Sequence, residues 1–167
     1  LMLLSLCAVV RAAAIAIEPC LIPQPRVVNV VEGVFEVTKH ATIAVEDVAL
    51  TPIAEYLSCY TGLSVDRDDA AIYLSINDRL GSEEYVLCIN VDGVTIEGGD
   101  YGGVFYGVVS LMQLMPSEVY SSSLCLPFVL PCCEISDSPS FEHRGFMLDV
   151  CRTWIDKQAL CAFIDRK

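Results

Sequence analysis

Apolar residues recur along this chain with two periods, and the switches between them mark out its elements. Residues 34–38 and 41–45 alternate with period two on either side of Lys39 and His40, which predicts two short strands joined as a hairpin. Between 49 and 60 the apolar positions Leu50, Ile53, Ala54 and Leu57 fall at helical spacing, and Gly62 stands where a C-cap belongs. Residues 71–76 return to a strand pattern. The runs 85–90 and 94–97 flank Val91-Asp92-Gly93, a hairpin signal because an Asp-Gly step tolerates positive φ. Asp100 then caps a second helix over 101–115, which Pro116 follows.

A serine-rich connection over 116–123 leads to two strand-like runs, 125–130 and 132–136. Asp137-Ser138-Pro139-Ser140 breaks the pattern and predicts a boundary between a domain of residues 18–138 and a second unit over 139–167. In that unit, 145–150 reads as a buried strand of parallel-sheet type. Asp149 and Arg152 would be costly there unless paired or facing a polar cleft. A loop follows, then Asp156 as N-cap of a helix from Lys157 onward, and strand, loop and helix at this spacing open a parallel β/α fold.

Gly102, Gly103 and Gly107 interrupt the second helix, each costing about 1 kcal/mol relative to Ala. Such a cost persists where the helix backbone must lie close against something. Tight packing of helix on sheet is the favoured account, with a glycine-lined ligand cradle as the alternative. The stretch 98–103 has neither GxGxxG nor GxxxxGK spacing, so it is not a phosphate loop.

Composition narrows the field. With 54% hydrophobic and 19% charged residues the chain is globular, and a formal charge of -12 disfavours nucleic acid and anionic membranes as partners. Residues 1–17 resemble a secretory signal: an apolar run to Val10, then Arg11 and the small-residue stretch 12–16, too short to span a bilayer. A buried first element or an anchor is the alternative. A signal would place the protein outside the cytoplasm, secreted, periplasmic or at the cell surface, with no membrane span in the mature chain.

The cysteines stay ambiguous. There are nine, and loss of Cys7 with a signal would leave an even number, which suits an oxidising compartment. Yet Cys59, Cys88, Cys151 and Cys161 fall inside predicted helices or strands, where a free thiol acts as a small apolar group. Buried free thiols are favoured over one or two disulfides. No Cys/His group has zinc-site spacing, and His40 and His143 are isolated.

Four stretches together resemble the family 20 glycoside hydrolases, the β-N-acetylhexosaminidases. They are Leu21-Ile22-Pro23-Gln24-Pro25 with Gly33-Val34-Phe35; Asp92-Gly93-Val94-Thr95-Ile96; Gly102-Gly103-Val104-Phe105-Tyr106-Gly107 with Leu111-Met112-Gln113-Leu114; and His143-Arg144-Gly145-Phe146-Met147-Leu148-Asp149 with Arg152. The resemblance implies an α+β domain over 18–138, a largely antiparallel sheet with two helices on one face, followed by the first strand and helix of a truncated (β/α)8 barrel. It implies action on terminal N-acetylhexosamine of glycans or chitooligosaccharides, by a retaining mechanism in which the substrate's acetamido group assists, with no cofactor. Arg152 matches the family's arginine that hydrogen-bonds hydroxyls of the terminal sugar; a tie to a carboxylate of a following strand is the competing role. For Asp149 inward structural pairing is favoured over substrate contact, and for Trp154 core packing over a sugar platform. The family's catalytic Asp-Glu pair matches nothing here, since Glu83-Glu84 lies in the first domain, and the resemblance implies that the pair falls beyond Lys167. Thr153-Trp154 also replace the His or Asn that commonly follows the arginine. A fragment of such an enzyme is thus expected, inactive alone, with a non-catalytic carbohydrate-contacting module as the alternative.

Overall fold

In the computed structural model, which describes residues 20–66, 70–120, 126–152 and 154–165, the alternating runs become a seven-stranded sheet. In chain order the elements are β1 (Val27–Val37), β2 (Thr42–Val45), α1 (Thr51–Thr61), β3 (Ser64–Val65), β4 (Ile72–Ile76), β5 (Tyr85–Asn90), β6 (Gly93–Gly98), α2 (Tyr101–Leu114), β7 (Phe128–Asp137) and α3 (Lys157–Asp165). The order across the sheet is β1-β7-β5-β6-β4-β2-β3.

The sheet is mixed, which corrects the largely antiparallel expectation. β1 with β7, β7 with β5 and β5 with β6 are antiparallel, whereas β6 with β4, β4 with β2 and β2 with β3 are parallel. β3 runs parallel to β2 because α1 is a crossover connection between them, returning the chain in the same sense. The hairpin expected around Lys39-His40 does not form. Ala41 donates to the Thr38 carbonyl across a tight turn, but β1 pairs with β7, about a hundred residues on, and β2 pairs with β3 and β4. The β5–β6 hairpin does form, with Asn90 opposite Gly93. Its turn needs no positive φ: the Asn90 side-chain oxygen accepts from the amides of Asp92 at 2.9 Å and Gly93 at 3.0 Å.

Alternation on the strands puts Tyr85, Leu87 and Ile89 of β5, Val94 and Ile96 of β6, and Ile72 and Leu74 of β4 into one core. α1 and α2 pack side by side over it and contribute Ile53, Leu57, Val104, Val108 and Leu111. Gly62 ends α1 in the left-handed region at φ 68° as expected, donating to the Ser58 carbonyl. Two glycines of α2, Gly103 and Gly107, are packing residues. A Cβ on Gly103 would stand 2.3 Å from the Glu84 carbonyl oxygen, and one on Gly107 would stand 2.5 Å from Ile96 Cγ2.

Beyond Asp137 the expected barrel strand is not formed. Residues 145–150 carry no strand pairing, and Phe146 and Met147 are 69% and 90% exposed. A parallel core strand is stabilised by ladders on both edges and cover on both faces, and no described residue supplies either. The helix that should follow is present as α3, where Ala159 donates to Asp156 Oδ1 at 2.8 Å. The Phe163 ring of α3 meets that of Phe146 at 5.4 Å.

Among the described residues Cys20, Cys59, Cys88, Cys132, Cys133, Cys151 and Cys161 are free thiols. Only Cys132 and Cys133 are buried, and burial pushes the Cys133 thiol up to about 11, which makes it unreactive. Cys59, Cys151 and Cys161 are exposed, against the expectation for residues on apolar faces. Cys7, Cys125 and the signal-like segment 1–17 lie outside the described residues, as does Lys167.

Candidate functional site

Asp149 and Arg152 come together, but at the surface. Asp149 Oδ1 accepts from the Cys151 amide at 2.8 Å, and its Oδ2 accepts from Arg152 Nε at 3.1 Å. The Arg152 side chain is 91% exposed. With the segment outside the sheet, no desolvation penalty falls on either charge, and an exposed pair three residues apart contributes about 0–1 kcal/mol. Asp149 closes a local turn at the surface, which corrects the inward pairing expected from the sequence. Trp154 is 83% exposed and does not pack in the core as expected.

A second charged group, eight residues upstream, is better built. Arg144 Nη2 donates to Glu83 Oε1 at 2.7 Å and to the Tyr106 hydroxyl at 2.8 Å, while Nη1 donates to Glu83 Oε2 at 3.2 Å and to the Phe141 carbonyl. Tyr106 donates to Glu83 Oε1 at 3.1 Å, and the guanidinium carbon lies 5.5 Å from its ring centroid. The result is a fork-on-fork ion pair set against an aromatic ring. The hydrogen bonds from Arg144 hold the Glu83 carboxyl below the usual carboxylate range, and Glu83 in turn raises Arg144. Both side chains are partly exposed.

The loop that presents Glu83 is itself tied down. Glu83 has φ 58°, the only non-glycine residue with positive φ among those described, a conformation that costs roughly 1–2 kcal/mol. Asp100, the N-cap of α2, holds it there: its Oδ2 accepts from the Glu83 amide at 3.1 Å and the Ser82 hydroxyl at 2.7 Å, while its Oδ1 accepts from the Gly103 amide at 2.9 Å. Burial raises the Asp100 carboxyl, but these donors outweigh it and leave the group below its ordinary value. Its contribution is therefore present above the unfolded-state carboxylate pKa and is lost as pH falls through the lower folded value. Asp100→Ala is expected to cost about 1–2 kcal/mol, read from the urea midpoint at neutral pH, with the difference from the parent shrinking below about pH 4.

In the sequence Glu83 stands only as part of Glu83-Glu84 in the first domain and Arg144 only within a motif; the pairing of Glu83 with Arg144 across 61 positions has no local signature. The Asp-Glu pair expected beyond Lys167 has no counterpart among the described residues, and Glu83 is engaged in an ion pair with Arg144. An open groove of about 460 Å³ lies at the carboxyl ends of β4 and β6, lined by Glu46, Tyr73, Ser75, Asn77, Arg79 and Glu97 among others. It contains none of the residues singled out from the sequence. Among the described residues no three His, Cys, Asp or Glu side chains are grouped to hold a metal ion. No described helix is long and apolar enough to cross a membrane.

A family model, Glycosyl hydrolase family 20, domain 2, matches residues 18–138. The chain is 37% identical over 158 residues to a beta-hexosaminidase of Porphyromonas gingivalis, an alignment that covers 87% of this chain and 20% of that protein. It is 36% identical over 85 residues to the N,N'-diacetylchitobiase of Vibrio harveyi, covering 51% of this chain and 9% of that one. Its fold matches the solved GH20 beta-N-acetylhexosaminidase from Streptomyces coelicolor A3(2) with a TM-score of 0.78 at 28% identity, over 86% of this chain and 31% of that chain. The chain spans about a fifth or less of the length of the two curated relatives.

Proposed function

The chain belongs to glycosyl hydrolase family 20, and from that premise we propose that it supplies the amino-terminal part of a β-N-acetylhexosaminidase, an exo-acting enzyme that removes terminal non-reducing N-acetylglucosamine or N-acetylgalactosamine from glycans or chitooligosaccharides. The family match over residues 18–138 carries this reading. Hydrolysis then proceeds with retention, the substrate's own acetamido carbonyl closing on the anomeric carbon in place of an enzyme nucleophile. A Glu protonates the leaving oxygen and an Asp orients the acetamido group, both on segments of the complete enzyme that follow Lys167.

In that reading the segment 139–165 is the opening of the catalytic barrel. Its exposed Phe146, Met147 and Ile164 are the apolar positions that neighbouring barrel units would cover, and only with those units in place does 145–150 take up a strand. Arg152 then stands at the carboxyl end of the first strand, where barrel active sites lie. Its planar fork of donors suits adjacent sugar hydroxyls. The apolar run at the amino terminus supports export from the cytoplasm.

The 167-residue chain is expected to be inert. Incubated with 4-nitrophenyl N-acetyl-β-D-glucosaminide, it should release no 4-nitrophenol above the buffer rate. Release that disappears in Arg152→Ala would overturn the assignment of chemistry to later segments. Binding of chitooligosaccharides by a longer product that never hydrolyses them would favour the non-catalytic module instead.

A further inference from the structure

We propose that Glu83, Tyr106 and Arg144 form a positioning clasp that fixes the point from which the segment bearing Asp149 and Arg152 leaves the sheet domain. What Arg152 does once placed rests on the function proposed above; the clasp itself rests on geometry alone. Residues 142–150 have no strand partner among the described residues, so no backbone ladder sets their course. Side chains must do so, and Arg144 grips the domain through two acceptors, the Glu83 carboxylate and the Tyr106 hydroxyl, while its bond to the Phe141 carbonyl closes the segment's own turn.

What distinguishes this group from an ordinary surface ion pair is that its acceptor is held ready. Glu83 sits in a backbone conformation that non-glycine residues avoid, kept there by the side chain that also caps α2. Tyr106, on the same helix, supplies both the ring beside the guanidinium and a hydroxyl between it and the carboxylate. A mechanical path thus runs from α2 through Asp100 and the 81–84 loop to Arg144. Five residues later comes Asp149, which locks the turn that carries Arg152. A preorganised acceptor loses little freedom on pairing, which favours one placement of the segment over many.

The groups facing the Glu83 carboxylate are Arg144, Tyr106 and Asp100. Because Glu83 titrates below the ordinary carboxylate range, the clasp is whole above the unfolded-state value of about 4.3 and opens as pH falls through the lower folded value.

The test is 15N relaxation on the intact 167-residue chain. Order parameters of residues 141–152 near about 0.8 are expected in the parent, falling below about 0.6 in Glu83→Gln while α2 and β4–β6 stay unchanged. The exchanged pair Glu83→Arg with Arg144→Glu should restore much of the order. Tyr106→Phe, which keeps the ring and loses the hydroxyl, should fall between, and it serves with an acid titration of the parent if Glu83→Gln does not fold. In that titration, order at 141–152 must drop before the sheet responds. Equal order with and without the Glu83 carboxylate, or a parent segment already below about 0.6, would overturn the clasp. No sugar enters the measurement, so failure of the hexosaminidase reading would appear in the 4-nitrophenol assay and not here.

Discussion

Gly103→Val is expected to lower the thermal midpoint by more than about 10 °C, whereas Gly102→Ala, one position away on the same helix, should leave it unchanged or raise it slightly. Propensity alone favours replacing either glycine, by about 1 kcal/mol for alanine. Packing separates them. A Cβ on Gly103 would lie 2.3 Å from the Glu84 carbonyl oxygen, 3.1 Å from its carbon and 3.2 Å from Gly98 Cα. All three are backbone atoms and cannot rotate away. Gly98 faces the helix in return, since a Cβ there would stand 2.3 Å from the Val104 nitrogen. The pair marks a close backbone approach of α2 to the sheet, and opening it would also draw the cap at Asp100 away from Gly103. Overpacking costs typically about 1–3 kcal/mol and more when only backbone can move, so a valine should lose about 3 kcal/mol or more. At Gly102 the nearest atoms are Asp100 Oδ1 at 3.3 Å and Glu83 Cγ at 3.4 Å, side-chain contacts that need to give by no more than about a few tenths of an ångström. Calorimetry on the two variants decides the matter; similar losses in both would mean that helix geometry, not this contact, selects the glycines.

Elements whose causes are local were legible in the sequence. The period-2 runs on either side of 90–93 gave β5 and β6, although the Asn90 side chain and not a positive φ at Asp92 or Gly93 closes their turn. Helical spacing with Gly62 and Asp100 at the ends located α1 and α2 to within two residues at each boundary. Sheet order was not legible. Two short strands across Lys39-His40 look like a hairpin, but the choice of β7 as partner of β1 depends on which edges remain free once the centre has formed. The bulge between Val30 and Val34, where Gly33 takes φ 132°, accommodates that distant pairing and has no counterpart in local periodicity.

The same division runs through the candidate site. Residues 145–150 have the composition of a buried strand, but composition specifies only the preference, and the ladder needs neighbours. Arg152 was read from a motif and stands in solvent beside Asp149. Glu83 was invisible as a partner of Arg144 because nothing within its own loop announces a residue 61 positions away. Its one local trace, the positive φ, is a property of the folded loop and not of the letter Glu.

On the function proposed above, in a longer polypeptide that carries this chain together with an Asp-Glu pair, Arg152→Ala is expected to reduce kcat/KM for N-acetylglucosaminides by about 100-fold, and Arg152→Lys by about 10-fold. A guanidinium reaching two neighbouring hydroxyls makes hydrogen bonds from a charged donor, each about 1.5–3 kcal/mol, and losing roughly 3 kcal/mol in total corresponds to the larger factor. Lysine keeps the charge but offers a single compact donor group, so it recovers one contact and not the fork. Stability separates this role from a structural one. The Arg152–Asp149 contact is exposed, so its loss should change unfolding free energy by less than about 1 kcal/mol. A large kinetic loss with an unchanged melting curve is therefore the expected pair of results. If Arg152→Ala retains full activity, the residue does not touch the sugar; if activity and melting temperature fall together, Arg152 holds the segment in place and another group must recognise the substrate.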